Sequence, residues 1–312
     1  MTVENPEKLQ QEPLFSIGVV VEELQKSHPD VSHSSLRFLE REGLLTSTRT
    51  KGGHRLFRQE DLDRIRRIKE WQTQGMSLDA IRQRLAEYDA LPSPAEISRE
   101  FLDSALARDT DSASQLILAA DDAGLPLGSM FGDVLRPALV SLGMLWEQGD
   151  VPVAQEKEIS ELTRDLVAVL SRRHRHPAPH RPLILAACVE GERHEIGLRM
   201  VCGLLREAGY QVRYLGADVA SRFLLDAARI HRPDVVLLSV SLEANLHGVR
   251  DALHVLKTGL APDPAPPVLV GGEIALAEQE LLASWGASVC GNSHLDDVMQ
   301  ALDGMHHAGN AA

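Results

Sequence analysis

The sequence lacks the features that mark membrane-embedded, secreted and disulfide-stabilised proteins. No run of about 18 apolar residues is present, so a membrane span is not expected. The polar stretch 1–15 has no apolar core of the kind that signal peptides carry. The three cysteines, Cys188, Cys202 and Cys290, stand far apart and without metal-binding spacing, so we expect reduced thiols. These absences predict a cytoplasmic protein.

Motifs that indicate enzyme catalysis are also missing from the sequence. The chain contains no recognisable nucleophile triad, no phosphate-binding glycine loop and no cysteine set with metal spacing. The sequence therefore predicts that the protein is not an enzyme.

Acidic residues outnumber basic ones overall, yet one window of the chain is basic. The 312-residue chain has a formal net charge of -13. Between Val31 and Lys69, however, ten lysines and arginines stand beside five acidic residues, which leaves +5. A basic patch on an acidic chain favours a polyanion site in a single domain. The alternative is a solvated helix face on which the charges form ion pairs. Composition alone does not distinguish a polyanion site from such a face.

Hydrophobic spacing and chain-breaking residues divide the sequence into three domains, of which the first covers 14–90. A short strand or turn and a helix come first, and Ser32 is placed to cap a second helix that ends at Gly43. The glycine pair 52–53 lies between two short runs and predicts a hairpin. Two further helices follow, the second with Ser77 as its N-cap.

The second domain, 96–173, has helical spacing throughout. The segment LPSPAEI, with two prolines, precedes it and is interpreted as a linker. Apolar spacing predicts four antiparallel helices, with EQGDVPV between the last two, and four such helices form a small bundle. The segment RRHRHPAPHR that comes next is interpreted as a solvated connector rather than a metal site.

Strand and helix patterns alternate in the third domain, 182–305. The strand candidates are LILAACV, QVRYLGA, DVVLLSVS, PVLVGG and the weaker ASVCGN, with helical runs between them. This alternation predicts a Rossmann-like parallel sheet with helices on both faces. Ligands of such sheets bind beyond the carboxyl ends of the strands. Glu192, His194 and Gly197 stand there, directly after the first strand.

The first domain closely resembles the winged helix-turn-helix of MerR-type regulators. The residues that carry the resemblance are Leu36, Arg37, Glu40, the run 42–45, Arg49, Gly53, Arg55, Asp61 and Leu62. It implies a helix in the major groove and a wing on the flanking phosphates, in an oligomer that spans two half-sites. The expected DNA-binding residues are Ser32, His33, Ser34 and Arg37 on the helix, and Arg49, Lys51, His54 and Arg55 on the wing. Leu36 and Glu40 are expected to be structural.

The second and third domains together resemble the cobalamin-binding module, and the order of all three resembles the CarH/LitR family of light-responsive repressors. The signature is Glu192-Arg193-His194-Glu195-Ile196-Gly197, supported by SVS at 239–241 and by Gly271-Gly272. That family uses adenosylcobalamin, which implies that His194 binds cobalt from below while Glu192 accepts the other ring N–H. Gly197 would give the corrin room. The pocket of the nucleotide tail would be lined by Ser239, Ser241, Gly271 and Gly272. A solvated loop histidine is the alternative.

The sequence departs from the family at the upper face of the cofactor. The family has Trp followed directly by His, and a Glu-His pair after nine spacers. This chain has Trp146 and Glu156 in matching positions, but Glu147 and Lys157 where the two histidines stand. Trp146 is interpreted as the group over the upper ligand, although core packing would explain its spacing as well. The resemblance implies that light breaks the cobalt–carbon bond, but no histidine is placed beside Trp146 to take the vacated position.

The sequence thus predicts an α/β multidomain protein with a winged helix-turn-helix, a four-helix bundle and a Rossmann-like parallel α/β cobalamin-binding domain. Its predicted function is that of a repressor that binds operator DNA as a dimer or tetramer and responds to light through adenosylcobalamin. Two alternatives stay open. One is a corrinoid carrier of the methyltransferase type, and the other is a MerR-type regulator that has lost cobalamin or binds another tetrapyrrole.

Overall fold

The computed structural model describes residues 13–26, 28–50, 52–176, 178, 181–290, 298 and 302. The chain divides into two units, Met1–Leu91 and Pro92–Ala312. The first unit contains β1 (Phe15–Ser16), α1 (Ile17–Gln25), α2 (His33–Arg41), β2 (Thr48–Arg49), β3 (Arg55–Phe57), α3 (Gln59–Thr73) and α4 (Leu78–Asp89). β3 pairs with both β1 and β2 in an antiparallel sheet, so the predicted hairpin between β2 and β3 is confirmed.

Local sequence sets both ends of α2. The hydroxyl of Ser32 accepts a hydrogen bond from the Ser35 N–H at 3.2 Å, and the hydroxyl of Ser35 accepts one from the Ser32 N–H at 2.8 Å. This reciprocal pair satisfies two N–H groups that the helix itself cannot. Gly43 comes after the helix with a φ of +71°, in the left-handed region that favours glycine. Leu36 and Leu39 of α2 are buried in the apolar core of this unit.

The second unit begins with a helical bundle. Its helices are α5 (Pro94–Leu106), α6 (Thr110–Asp122), α7 (Leu127–Ser129), α8 (Arg136–Gln148) and α9 (Val153–Arg173), and a π-helical segment, Met130–Leu135, joins α7 to α8. α7, the π segment and α8 are consecutive, so the bundle has four helical stretches, as predicted. The π turn ends just before Pro137, which has no N–H to donate to the preceding turn.

The segment that we interpreted as a linker belongs in part to α5. Pro94 is the first residue of the helix, two positions before the predicted start at 96. Ser93 caps the helix: its hydroxyl accepts from the Glu96 N–H at 3.3 Å, while the Glu96 carboxylate accepts from the Ser93 N–H at 2.8 Å. Proline is suited to this position because the N–H it lacks would be unpaired there.

The second half of this unit is a five-stranded parallel sheet in the order β5-β4-β6-β7-β8. The strands are β4 (Leu183–Cys188), β5 (Gln211–Tyr214), β6 (Val235–Ser239), β7 (Val268–Gly271) and β8 (Ser288–Val289). The helices between them are α10 (Ile196–Glu207), α11 (Ser221–His231), α12 (Leu246–Gly259) and α13 (Gln279–Ser284). Separate apolar clusters cover the two faces of the sheet, and α9 packs against α10. The predicted Rossmann-like sheet is therefore confirmed.

Candidate functional site

The loops after β4 and β6 form the crevice of the sheet. From β4 the chain passes outward to β5 and then returns across β4 to β6, so the strand order reverses at this point. A reversal of this kind leaves an opening at the carboxyl ends of the strands. Glu192 lies in the loop after β4, and Ser241 and Asn245 lie after β6. The two loops meet at the Glu192 carboxylate.

Five hydrogen bonds hold the fully buried Glu192 carboxylate. Oε1 accepts from the backbone N–H of His194 at 2.8 Å and contacts its ring Nδ1 at 2.6 Å. Oε2 accepts from the N–H groups of Ser241 (2.7 Å) and Leu242 (3.3 Å) and from the amide of Asn245 (3.2 Å). Burial alone would raise the pKa of this carboxyl, but the donors outweigh it and lower the pKa from 4.5 to about 2. Glu192 is therefore a fixed anion.

His194 is oriented by that anion. Because Nδ1 faces an ionised carboxylate, the single proton of the neutral ring lies on Nδ1, and the lone pair of that form lies on Nε2. The hydrogen bond to Glu192 is also the largest cause of the raised pKa of His194. The side chain is 64% exposed, so the ring projects from the loop while its base is anchored. A histidine with a fixed tautomer and a carboxylate behind it is the arrangement that metal-ligating histidines have.

The small residues around the crevice have different physical roles. Gly197, in the first turn of α10, is exposed, and an added Cβ there would meet no atom within 4 Å, so the surface is open. Gly271 leaves room for the Cys290 thiol, whose Sγ would lie 3.0 Å from a Cβ. Gly272 has a φ of +112°, and a Cβ there would overlap the backbone of Val240. Gly272 is thus required by packing within the protein and Gly271 is closely packed, while the room that the pair was expected to give a ligand stays a prediction.

Two serines of the predicted tail pocket also differ in their surroundings. Ser239 is buried at the carboxyl end of β6, in register with Gly271 of β7 and Cys188 of β4. Ser241 is half-buried, and its backbone N–H is committed to Glu192. Ser241 therefore helps to fix His194 through Glu192.

The bundle presents Trp146 and the start of α9. Trp146 is 45% exposed, so it is not a core residue of the bundle, and Glu147 beside it is exposed as well. Glu156 forms an ion pair with Lys157 at 3.1 Å and accepts a hydrogen bond from Ser160 at 2.8 Å. The charge of Lys157 lowers the pKa of His194 and that of Glu156 raises it. The charges in the first turn of α9 therefore act on the His194 ring.

Two groups of supporting residues were not predicted from the sequence. Asn245 and the N–H groups after β6 lie about 50 positions from Glu192, and no spacing in the sequence signals their meeting. Glu195, directly after His194, accepts the Tyr214 hydroxyl at 2.5 Å and pairs with Arg199 at 3.1 Å. It also pairs with Arg164 of α9 at 2.8 Å, which ties the bundle to the histidine loop.

In the first unit, the leading face of α2 is exposed and polar. Ser32, His33, Ser34 and Arg37 are all exposed, as a recognition helix requires. The hydroxyl of Ser32 also caps the helix, so part of its hydrogen-bonding capacity is already used.

The wing is joined to α2 through Glu40. Arg55 donates to the Glu40 carboxylate at 2.7 Å, Ser47 donates to it at 2.6 Å, and Arg49 lies 4.0 Å from it. Glu40 thus has the structural role that we expected, and Arg55 is partly neutralised by it. Arg49 is 56% exposed, and His54 is exposed. Lys51 lies outside the described residues.

Four cations of α3 and its N-cap form ion pairs, namely Arg58–Glu60 (3.2 Å), Arg64–Asp89 (2.6 Å), Arg66–Asp63 (2.8 Å) and Lys69–Asp30 (2.7 Å). A fifth cation, Arg67, lies over the Tyr88 ring at 4.0 Å. The ion-pair alternative therefore describes most of α3, while Arg37 of α2 is exposed.

Family profiles match the chain in both units. The profile described as "MerR HTH family regulatory protein" matches residues 17–88. Two profiles described as "B12 binding domain" match residues 97–171 and 182–296. None of the helices in the described ranges combines the length and the apolar character of a membrane span.

Two repressors are similar to this chain over most of its length. The HTH-type transcriptional repressor CarH of Myxococcus xanthus is 31% identical, over 77% of this chain and 83% of its own. The HTH-type transcriptional repressor CarA of the same organism is 30% identical, over 84% of this chain and 90% of its own. The solved structure of the Methanosarcina barkeri monomethylamine corrinoid protein has a TM-score of 0.58 and 20% identity, covering 67% of this chain and 98% of that one. This last likeness concerns the fold alone.

Proposed function

Since the chain belongs to the family of MerR-type repressors with B12-binding domains that includes CarH and CarA, we propose that it is a cobalamin-dependent transcriptional repressor. It binds operator DNA as a homo-oligomer in the cytoplasm and responds to light through adenosylcobalamin. Domain 14–90 binds DNA, domain 96–173 caps the cofactor, and domain 182–305 binds the cofactor. We propose no catalytic activity.

The observation that carries the cofactor assignment is the Glu192–His194 pair. Glu192 is buried, ionised and held by five donors, so it fixes the Nδ1–H tautomer and leaves Nε2 for cobalt. The exposed face of Gly197 leaves space beside the ring. A solvated loop histidine would have no need of this buried anchor.

Adenosylcobalamin, when bound, supplies a cobalt–carbon bond that light breaks. The protein's part is to hold and orient. His194 would bind the cobalt, Ser239 and the strand ends around Gly271 would border the nucleotide tail, and Ser241 and Gly272 would support these positions from behind. Trp146, exposed on the bundle, covers the upper group together with Glu156. The link from Glu195 to Arg164 keeps the bundle close to the histidine loop.

Glu147 and Lys157 limit the ligands that can replace the upper group once it is lost. A carboxylate is a hard oxygen ligand and matches cobalt(III) less well than imidazole does. Lys157 is exposed and paired with Glu156, and its ammonium form has no lone pair for a metal. We therefore propose that light removes the upper group without formation of a stable bis-histidine adduct.

The cofactor assignment is tested with His194→Ala. We expect weaker retention of adenosylcobalamin and a base-off absorption spectrum, whereas His254→Ala, an exposed histidine on α12, should leave both unchanged. Equal retention and equal spectra for the wild type and His194→Ala would refute the ligand assignment.

The regulatory assignment is tested by DNA binding in darkness and after green light, with and without cofactor. A repressor should bind its operator in one state more tightly than in the other. A corrinoid carrier would bind cobalamin but no specific DNA, and a regulator that has lost the cofactor would bind DNA with no colour and no response to light. The MerR-type unit favours the first outcome, because a carrier has no use for it.

The upper site is tested with Glu147→His. The variant should gain a bis-imidazole spectrum after illumination that the wild type lacks, and Glu147→Gln serves as the matched control. A bis-imidazole spectrum in the illuminated wild type would show that another histidine reaches cobalt. If Glu147→His changes neither the spectrum nor the lifetime of the photoproduct, position 147 does not lie over the metal.

A further inference from the structure

A second cavity, of ≈ 830 Å³, lies at the edge of the sheet. Its walls come from the C-terminal part of α9, from α10 and from β5, the terminal strand. None of the residues that hold the Glu192 carboxylate lines it, although Arg199 and Tyr214, which bind Glu195, do. Its volume is within the range of pockets that bind small organic molecules.

Arginines dominate the charge of this cavity. Five of them line it, namely Arg172, Arg175, Arg199, Arg206 and Arg213, and no acidic residue of the described ranges does. Arg199 is paired with Glu195, and Arg206 donates to the Val212 carbonyl at 3.4 Å. Among the described residues, Arg172, Arg175, Arg206 and Arg213 have no carboxylate partner. Four unneutralised cations around one hollow are unexpected in a chain with a net charge of -13, and they create a positive local potential.

The wall of the cavity is closed where α9 meets α10. Ser171 of α9 is 7% exposed, and its Oγ is shielded from solvent. Gly203 of α10 packs directly against that hydroxyl and has no room for a side chain. This close contact brings the arginines of α9 and α10 to one hollow.

We propose that this cavity binds a small organic anion with two or more phosphate groups, of the nucleoside polyphosphate class. Arginine forks bind phosphate oxygens in pairs, and several forks suit several phosphates. The half-buried ring of Tyr214 supplies aromatic surface, and Arg199 lies over this ring at 4.9 Å. A concave site of this volume accepts a small ligand, whereas a DNA duplex cannot enter it.

Isothermal titration calorimetry of the full-length protein with ATP and with pyrophosphate tests the proposal, with sulfate at equal ionic strength as the anion control. The double variant Arg172→Gln/Arg213→Gln should bind ATP at least about tenfold more weakly than the wild type. Arg250→Gln, on the exposed face of α12, is the matched control and should bind as the wild type does. The cobalamin spectrum should be the same in all three proteins.

Three results would overturn the proposal. The first is no heat with ATP or pyrophosphate at millimolar concentration. The second is binding of sulfate with equal strength, or an equal loss with Arg250→Gln, because either would indicate general attraction of anions to the surface. The third is a double variant that keeps ATP affinity but changes its sedimentation mass or its affinity for DNA, because the cavity would then be a contact with a second copy or with nucleic acid.

Discussion

Replacing Glu192 by glutamine should destabilise the second unit strongly, although the side chain keeps its size. The carboxylate accepts hydrogen bonds on both oxygens, two from His194 on Oε1 and three from Ser241, Leu242 and Asn245 on Oε2. A glutamine amide has one accepting oxygen and one donating nitrogen. In either orientation, the nitrogen of Glu192→Gln would face N–H groups inside the protein, and no water is available to a fully buried group.

The size of the effect can be derived from the pKa of Glu192. The fold lowers this pKa from 4.5 to about 2, which means that it stabilises the charged carboxylate over the neutral acid by about 3 kcal/mol. Loss of the charge and of at least two donors should remove a similar amount. For a folding unit of this size, about 3 kcal/mol lowers the melting temperature by about 6–12 °C.

Calorimetry of the wild type, Glu192→Gln and Glu190→Gln measures this difference. Glu190 is an exposed carboxylate two residues earlier, so its replacement should have little effect. The folded pKa is lower than the unfolded one, so the contribution is complete above pH 4.5 and is lost as the pH falls through about 2. The gap between wild type and Glu192→Gln should therefore be smaller at about pH 3 than at about pH 7. Equal melting of the two glutamine variants, or a gap independent of pH, would refute the reasoning.

Three further predictions concern other parts of the chain. His174 contacts the buried Asp121 at 2.6 Å, and this contact is the main cause of the rise of the His174 pKa from 6.5 to about 9. The contribution of His174 to stability is therefore complete below pH 6.5 and is lost as the pH rises through about 9. Asp121→Asn should reduce that alkaline loss in thermal melts, with Glu207 as the remaining acidic partner of His174, and an unchanged profile would contradict the pairing. Gly272→Ala should lower the free energy of unfolding by about 3 kcal/mol or more, because the added Cβ would overlap the Val240 backbone. Gly216→Ala, with a similar φ of +108° but open space around it, is the control and should have a smaller effect. Equal effects in urea unfolding would exclude the predicted overlap. Arg37→Ala should weaken DNA binding for all sequences and reduce the salt slope by about one, and an unchanged slope in fluorescence anisotropy would exclude a phosphate contact.

Local sequence patterns predicted most elements because their causes are local. Ser32 and Ser77 cap helices through side chains three residues from the N–H groups they satisfy. The alternation of apolar strands with amphipathic helices similarly predicted the parallel sheet. The start of α5 was placed too late, because the prolines of LPSPAEI were interpreted as breakers. Pro94 instead begins the helix, and Ser93 caps it.

The π-helical segment before Pro137 was not predicted, and neither was the arginine-lined cavity. An extra residue in a helical turn leaves no mark in apolar spacing over so short a segment. The cavity combines α9, α10 and β5, which are separate in the sequence and meet only through packing. Its arginines are scattered from 172 to 213 among ordinary polar positions.

By itself the sequence determined the kind of protein: a MerR-type unit, a helical bundle and a parallel α/β domain with Glu192, His194 and Gly197 after the first strand. These features depend on periodicity, caps and short motifs, which involve residues close together in the chain. Only the tertiary structure decided which groups hold His194. The donors to Glu192 come from the loop after β6, about 50 residues away, because a parallel sheet brings the carboxyl ends of β4 and β6 to one edge. It also decided that most cations of α3 form ion pairs while Arg37 of α2 is exposed, since partners such as Asp30 and Asp89 reach α3 only after folding.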